Sequence, residues 1–340
     1  MRVLLIGGNG FIGRHLTAQL ARDGHDVVGF HRRRGGPTDI VGDRHALLES
    51  ADALRAARPD IVVDMILSSA QQARDTIAVF RGVARRVVAL SSCDVYRACG
   101  VYHGLEPGGL EPMPLRETAA LRTSGETYPA ERLQAIRQLF PWIDEHYDKI
   151  PVEDVILGDA QLLGTVLRLP MIYGPGDRLH RNFALVKRID DGRPAILFEA
   201  KHAAWRAPRG YVENVAAAVA LAVTNSRAAG RMYNVADPEN LTEIEWAGSV
   251  ARVAGWRGQI LALDADRAPA HLRVPGNLDQ HWVVDSSRIR EELGYREPIP
   301  RDEAIRRTIE WERANPPTSV DARAFDYAAE DAALAGASST

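Results

Sequence analysis

A chain of 340 residues with 46% hydrophobic content is long enough for one large domain with a smaller lobe, and its composition is that of a globular protein rather than a disordered or fibrous one. Its 42 basic and 45 acidic side chains leave a formal net charge of -3, so no global field draws it to nucleic acid, and nucleic-acid binding is not expected. Two cysteines, Cys93 and Cys99, cannot build a disulfide framework.

No apolar run approaches the roughly 18 residues of a membrane span, and the histidines show no metal-ligand spacing. The chain enters a strand directly, without a charged-then-apolar leader. The expectation is a cytoplasmic protein with no membrane partner and no metal.

The first element is the most informative. An apolar strand, Val3-Leu4-Leu5-Ile6, stops at Gly7, and the run Gly7-x-x-Gly10-x-x-Gly13 leads into Leu16 and Leu20 at helical spacing. Glycines at these positions let the backbone turn tightly, approach a pyrophosphate and pack the new helix on the strand, so that phosphate meets the helix N-terminus. A second strand at 26–30 completes the unit, which predicts dinucleotide binding.

Further strands are predicted at 60–66, 86–90 and 165–169, alternating with helical segments. That alternation means a Rossmann-type, doubly wound parallel α/β sheet. Residues 104–146 form a long insertion rich in Pro, Gly, Glu and Arg, of the length usually associated with function or mobility. The second half has shorter strands at 195–198 and 231–235 and helices beginning near Val212 and Thr242, a smaller mixed α/β C-terminal substrate lobe built partly from chain that returns to the sheet. The expected division is a cofactor domain over 1–175, a lobe over 176–317 and, after Pro316-Pro317, a disordered tail over 318–340.

Several landmarks coincide with these elements: the glycine run, Gly42-Asp43-Arg44, Ser91-Ser92-Cys93-Asp94-Val95-Tyr96, the segment Arg168-Leu169-Pro170 through Tyr173-Gly174-Pro175-Gly176-Asp177, and Arg206 ahead of Tyr211-Val212-Glu213-Asn214. Together they resemble the extended short-chain dehydrogenases, the NAD-dependent epimerase/dehydratase family, over residues 1–315. The resemblance implies cofactor contacts from Gly7, Gly10, Phe11, Ile12 and Gly13, from Asp43 on the adenine side with Arg44 beside it, and from Ser91, Lys149 and Pro170. It also implies a homodimer formed through a four-helix arrangement.

The second strand ends in His31-Arg32-Arg33-Arg34 where an NAD enzyme commonly has an Asp or Glu for the adenosine ribose. A guanidinium suits a 2′-phosphate, so NADP is favoured over NAD with Arg32 as its ligand; the alternative is a solvated basic loop.

In the family a Ser or Thr binds the substrate oxygen, a Tyr exchanges its proton, and a Lys four residues later lowers the Tyr pKa and holds the nicotinamide ribose. Ser92 fits the first role, at the carboxyl end of its strand, against a Ser that merely caps the strand. The Tyr-x-x-x-Lys motif is missing. Tyr128-Pro129-Ala130-Glu131-Arg132 has its spacing but carries Arg, while Lys149, followed by Glu153, has Glu145 four residues before it.

The nearest phenol is Tyr147. Two residues apart on a helix would put Tyr147 and Lys149 on nearly opposite faces, but Pro151 favours a helix starting near 151, with both residues outside it on extended chain where they share a face. A rearranged Tyr147/Lys149 pair is one reading; a lost catalytic Tyr, with Lys149 kept for the ribose, is the other. Asp94 is a further acid/base candidate, since dehydratase and decarboxylase relatives place an acid there, against a structural Asp at a strand end.

Arg178 follows the Gly-Pro-Gly-Asp turn and Arg206 matches the residue that binds diphosphate in nucleotide-sugar relatives; ordinary surface pairing is the alternative. The expectation is hydride transfer on a sugar-like, nucleotide-linked or phosphorylated and therefore anionic substrate, by epimerisation or reduction. The other class is a non-catalytic NAD(P)-binding sensor or scaffold that has lost the catalytic Tyr.

Overall fold

A computed structural model of the chain describes residues 1–33, 35, 36 and 38–337; Arg34 of the basic run lies outside the described residues. In chain order β1 (Arg2–Ile6) leads to α1 (Gly13–Arg22), β2 (Asp26–His31), β3 (Ile40–Val41), α2 (Ala51–Ala56), β4 (Ile61–Asp64), α3 (Ala70–Phe80) and β5 (Arg86–Ser92). Then come α4 (Arg97–His103), α5 (Ala130–Leu139), α6 (Lys149–Gly158), β6 (Leu163–Leu169), β7 (Met171–Tyr173), α7 (Phe183–Asp190), β8 (Ala195–Glu199) and α8 (Ala200–Ala204). The chain continues through β9 (Arg209–Tyr211), α9 (Val212–Thr224), β10 (Arg231–Asn234), α10 (Glu243–Val253), β11 (Gln259–Leu263), α11 (Ser287–Leu293), α12 (Arg301–Ala314) and α13 (Tyr327–Ala337).

Seven strands form one parallel sheet in the order β10-β6-β5-β4-β1-β2-β3. Side chains alternate across a strand, and both faces are covered, which is why β1 is apolar throughout. Val3 and Leu5 pack with Leu16 and Leu20 of α1 and with Val215, Val219 and Val223 of α9. Leu4 and Ile6 point the other way, to Ala73, Ile77 and Phe80 of α3 and to Val152 and Ile156 of α6. Burying each such Leu or Ile contributes about 1.5–3 kcal/mol. The strand order reverses between β1 and β4, and the crevice above that switch point is where sheets of this kind take ligands.

Two further parallel pairs, β7 with β9 and β8 with β11, stand apart from this sheet. Chain from beyond residue 176 returns to the sheet as α9 and β10, so the sheet and the lobe interleave in sequence. No helix among the described residues is long and apolar enough to cross a membrane.

The 104–146 insertion contains α5, none of whose residues is buried. Two local expectations are corrected. The helix bearing Lys149 begins at Lys149 rather than near 151, because Asp148 caps it by accepting from the Ile150 N–H at 3.1 Å. Pro151 then falls in the first turn, where its missing N–H costs no intrahelical bond. The tail beyond Pro317 is ordered at least to 337. Glu330 of α13 is buried and accepts from Arg188 Nη2 at 2.6 Å, with His271 Nε2 3.0 Å away, while Ala333 and Leu334 pack on Ala195, Leu197 and Leu263.

Candidate active site

The glycine run forms a tight connection between β1 and α1. Gly7 has φ +89°, open to glycine at little cost, and a Cβ on Gly13 would lie 2.5 Å from the carbonyl oxygens of Gly7 and Gly8. The helix therefore starts against the strand end. Phe11 and Ile12 lie between the last two glycines of the run, partly buried, and the Arg14 guanidinium reaches across to the Pro175 carbonyl beyond β7.

At the end of β2, Arg32 is exposed with no hydrogen bond or ion pair among the described residues. The acid beside it, Asp39, was not anticipated. Its carboxylate accepts from the N–H groups of Gly29, Gly35 and Gly36 at 3.2, 2.9 and 2.5 Å, which ties Gly35 and Gly36 to the strand at Gly29. Asp43 is exposed, with Oδ1 accepting from His45 N at 2.9 Å. Arg44, expected at the cofactor, is instead buried. Its Nη2 lies 3.1 Å from Asp64 Oδ2 and donates to Gln72 O, because the helical turn after Asp43 points it beneath the sheet end.

The carboxyl end of β5 brings the remaining groups together. Ser91 Oγ donates to Glu153 Oε1 at 2.5 Å, and Arg168 from β6 binds the same carboxylate through Nε and Nη2, at 3.0 and 2.6 Å. Ser91 is thus committed to a buried network, and Pro170 follows Arg168's strand at the mouth of the crevice. Ser92 is half-buried; its Oγ accepts from Asp94 N at 3.2 Å and so caps the turn that follows.

Lys149, at the start of α6, is buried, and its Nζ donates to the carbonyls of Leu67 and, at 3.1 Å, Leu90. Burial lowers its pKa to about 8 against the raising effect of Asp94, Asp64 and Glu153. Nζ stands 5.8 Å from the Tyr147 ring centre and 5.4 Å from that of Trp142. Asp148 fixes this start by pairing with Arg122 at 2.8 Å and by donating its N–H to Ser68 O at 3.0 Å.

Asp94 is fully buried, and two phenols converge on it. Tyr147 and Tyr128 each donate to Oδ2 at 2.9 Å, with rings nearly parallel and centroids 6.3 Å apart, while Oδ1 has no hydrogen-bond partner among the described residues. Burial first, then the Asp94 charge, pushes both hydroxyls well above the ordinary tyrosine value. Of the expected catalytic set, Ser92, Asp94, Tyr147 and Lys149 stand together at the end of β5. Glu145, in the family position for Tyr, is exposed and 3.5 Å from the adjacent His146.

On the substrate side the two arginines differ from free phosphate ligands. Arg178 is exposed and donates to Leu139 O at 3.0 Å, holding the end of α5. Arg206 is half-exposed, donates to Asn240 O and sits 3.5 Å from Glu245.

The NAD dependent epimerase/dehydratase family model matches residues 3–236. The chain belongs to that family. It is 27% identical over 281 residues to a 3-diazoavenalumate denitrifying reductase of Streptomyces sp, covering 75% of this chain and 82% of that protein. It is 23% identical over 266 residues to a 2-alkyl-3-oxoalkanoate reductase of Stenotrophomonas maltophilia (strain K279a), covering 75% and 76%. An uncharacterized protein of Sinorhizobium fredii, y4nL, matches over only 46% of its own length, 25% identical over 168 residues. Among solved structures, MoeE5 in complex with UDP-glucuronic acid and NAD superposes with a TM-score of 0.63 at 21% identity, over 92% of this chain and 99% of that one.

Within this epimerase/dehydratase-family fold, sequence reasoning missed Tyr128, Asp39 and Trp142. Tyr128 carried a signal, the Tyr-x-x-x-Arg spacing, which reads as a failed motif until Asp94 is seen beneath it. Asp39 and Trp142 carried none.

Proposed function

We propose that this chain is an NAD(P)-dependent oxidoreductase that reduces a carbonyl carbon of a sugar-like, nucleotide-linked or phosphorylated substrate, with Tyr147 as proton donor. The observation that carries the reading is the Tyr147 hydroxyl, 2.9 Å from the buried Asp94 carboxylate and beside Lys149. A phenol held protonated by a neighbouring carboxylate suits donation to a substrate oxygen; an epimerase's opening oxidation would ask the same phenol to act as base.

The residues present fit a dinucleotide. The α1 N-terminus opens at glycines that leave room for a pyrophosphate, and Lys149 stands at the strand ends where a nicotinamide ribose belongs. A reduced nicotinamide, when bound, supplies the hydride. Lys149 orients the ribose, Ser92 hydrogen-bonds the substrate oxygen, and Tyr147 delivers the proton to that oxygen. Asp94 aims the phenol. Exposed Arg32, together with an Asp39 whose carboxylate is already taken by backbone N–H groups, favours a 2′-phosphate and hence NADP. Arg206 turns from Glu245 to an anionic substrate group. The reductase names of two relatives and the nucleotide-sugar complex of a structural neighbour agree with this assignment.

The second reading is a non-catalytic nicotinamide-binding protein, favoured by exposed Glu145 at the motif's Tyr position. Fluorescence titration with NADPH and NADH, after acid release of any carried nucleotide, tests the cofactor: exchangeable NADPH supports the reductase, retained NAD an epimerase. Tyr147→Phe then separates the readings. Loss of carbonyl-dependent NADPH oxidation with unchanged nucleotide affinity supports the donor role, and an undiminished rate rejects it. A homodimer through a four-helix arrangement that includes α6 belongs to the same proposal and is read by light scattering.

A further inference from the structure

We infer that Tyr128 is a second working phenol of this site, passing protons from the exposed rim through Asp94 to Tyr147. The inference rests on the reading of Tyr147 as proton donor. It begins from one carboxylate oxygen serving two phenols: Asp94 Oδ2 accepts from Tyr128 and Tyr147 at 2.9 Å each. The other oxygen, Oδ1, is buried and without a hydrogen-bond partner among the described residues, so this carboxylate keeps acceptor capacity beside its two donors.

The two phenols face different surroundings. Tyr147 lies beside Lys149, whose Nζ donates to Leu90 O near the end of β5, on the side of the proposed reaction. Tyr128 belongs to the insertion, one residue before the N-cap of α5, and the guanidinium of exposed Arg132 stands 5.4 Å over its ring. His103 closes the far edge, its ring 5.4 Å from Tyr128. The series Arg132, Tyr128, Asp94, Tyr147 therefore leads from the rim inward, without a gap longer than a hydrogen bond between the three oxygen-bearing groups.

The chemistry is proton transfer alone. When Tyr147 gives its proton to the substrate oxygen, its O–H bond breaks and a phenolate is left beside the Asp94 carboxylate. Two negative charges at hydrogen-bond distance repel strongly in a buried site and raise the proton affinity of both. The Tyr128 proton moves to Asp94 Oδ2, and from there to Tyr147, which regains its O–H. The charge now rests on Tyr128, whose ring lies under Arg132, and a water molecule from the rim protonates its oxygen and leaves as hydroxide to the solvent. One proton has moved from water to the substrate oxygen and all three groups are restored. A Tyr128 that only locks Asp94 in place would do none of this.

The test reads exchange of the Tyr147 hydroxyl proton with solvent by NMR, in the full-length chain carrying carbon-13-labelled tyrosine, with the resonance assigned by its loss in Tyr147→Phe. Tyr128→Phe is expected to slow that exchange by about tenfold or more while the resonance stays downfield on Asp94 and NADPH affinity is unchanged. Exchange that is unchanged or faster overturns the relay, since a lost lock would loosen the Tyr147 bond. Arg132→Gln, at an exposed position, is the second variant should Tyr128→Phe fail to fold; it too is expected to slow exchange, and an unchanged rate overturns the relay. A Tyr147→Phe protein that still reduces carbonyls would reject the donor assignment, and that result is independent of the exchange measurement.

Discussion

Glu153 is the residue whose environment is most demanding. Its carboxylate is almost fully buried and holds Ser91 and the equally buried Arg168, whose guanidinium also stacks 4.7 Å from the Tyr96 ring. Removing one partner of a buried pair leaves the other charge unpaired. Glu153→Ala is expected to destabilise the chain by about 3–5 kcal/mol, measured by urea denaturation, with Glu153→Gln costing less because Arg168 keeps an acceptor. A smaller loss for Ala than for Gln would contradict the pairing.

Lys149 gives a pH-dependent prediction at the same scale. Its folded pKa of about 8 lies below the ordinary 10.5, so between these values the unfolded chain binds more protons and stability rises with pH. Below pH 8 the full cost of burying the ammonium is present, on the order of 3 kcal/mol at about 1.4 kcal/mol per pH unit. The stability of Lys149→Met relative to the native chain should therefore fall as pH rises from 8 to 10.5, and a difference that is flat across that window would count against the buried charge.

Among the elements, α5 is distinctive in burying nothing. It is held by hooks at its C-terminal end: Arg178 Nη1 to Leu139 O at 3.0 Å, His45 Nε2 to Pro141 O at 3.2 Å, and Ser69 Oγ to Asp144 Oδ2 at 2.6 Å. These reach residues 139–144 from the turn after β7, from the turn after β3 and from the loop after β4. A helix without an apolar anchor sits at the low end of the local stability range. Arg178→Ala is expected to speed proteolytic cleavage within residues 130–141 several-fold while shifting the global melting midpoint little. Equal cleavage rates would show that the hook contributes nothing.

At the scale of the whole molecule the sheet and lobe meet around Asp237, just past β10. Its N–H bonds Arg209 O at 2.7 Å, and Arg301, Glu297, Arg290 and Arg209 surround its carboxyl. Burial raises its pKa to about 7 from 3.8, the nearby arginines opposing. The folded chain holds this proton across that window while the unfolded chain loses it, so stability falls as pH rises from 3.8 to 7, and the cost is complete above 7. Asp237→Asn should be more stable than the native chain by a few kcal/mol at pH 8, at about 1.4 kcal/mol per pH unit, and no more stable near pH 4. Calorimetry at the two pH values checks this; equal melting shifts at both would remove Asp237 from the account.

Local patterns were sufficient for much of this protein. The apolar run ending at Gly7, the glycine spacing and the alternation of strands with helices determine a parallel doubly wound sheet, because they report backbone preference and burial residue by residue. The same holds for Ser92 and Asp94, which sit at and just past the carboxyl end of β5, whereas Lys149, at the start of α6, reaches Leu90 of that strand only across 59 residues. Tertiary structure alone decided the rest. Tyr128 and Tyr147 meet on one oxygen of Asp94 although they lie 34 and 53 residues from it. Arg44 turns under the sheet to Asp64, and Glu330 orders a tail whose composition reads as disordered. Each of these is a buried polar group finding its partner across distant sequence, and such a partner is chosen by the cost of leaving charge unpaired in a closed core, a quantity that no local pattern contains.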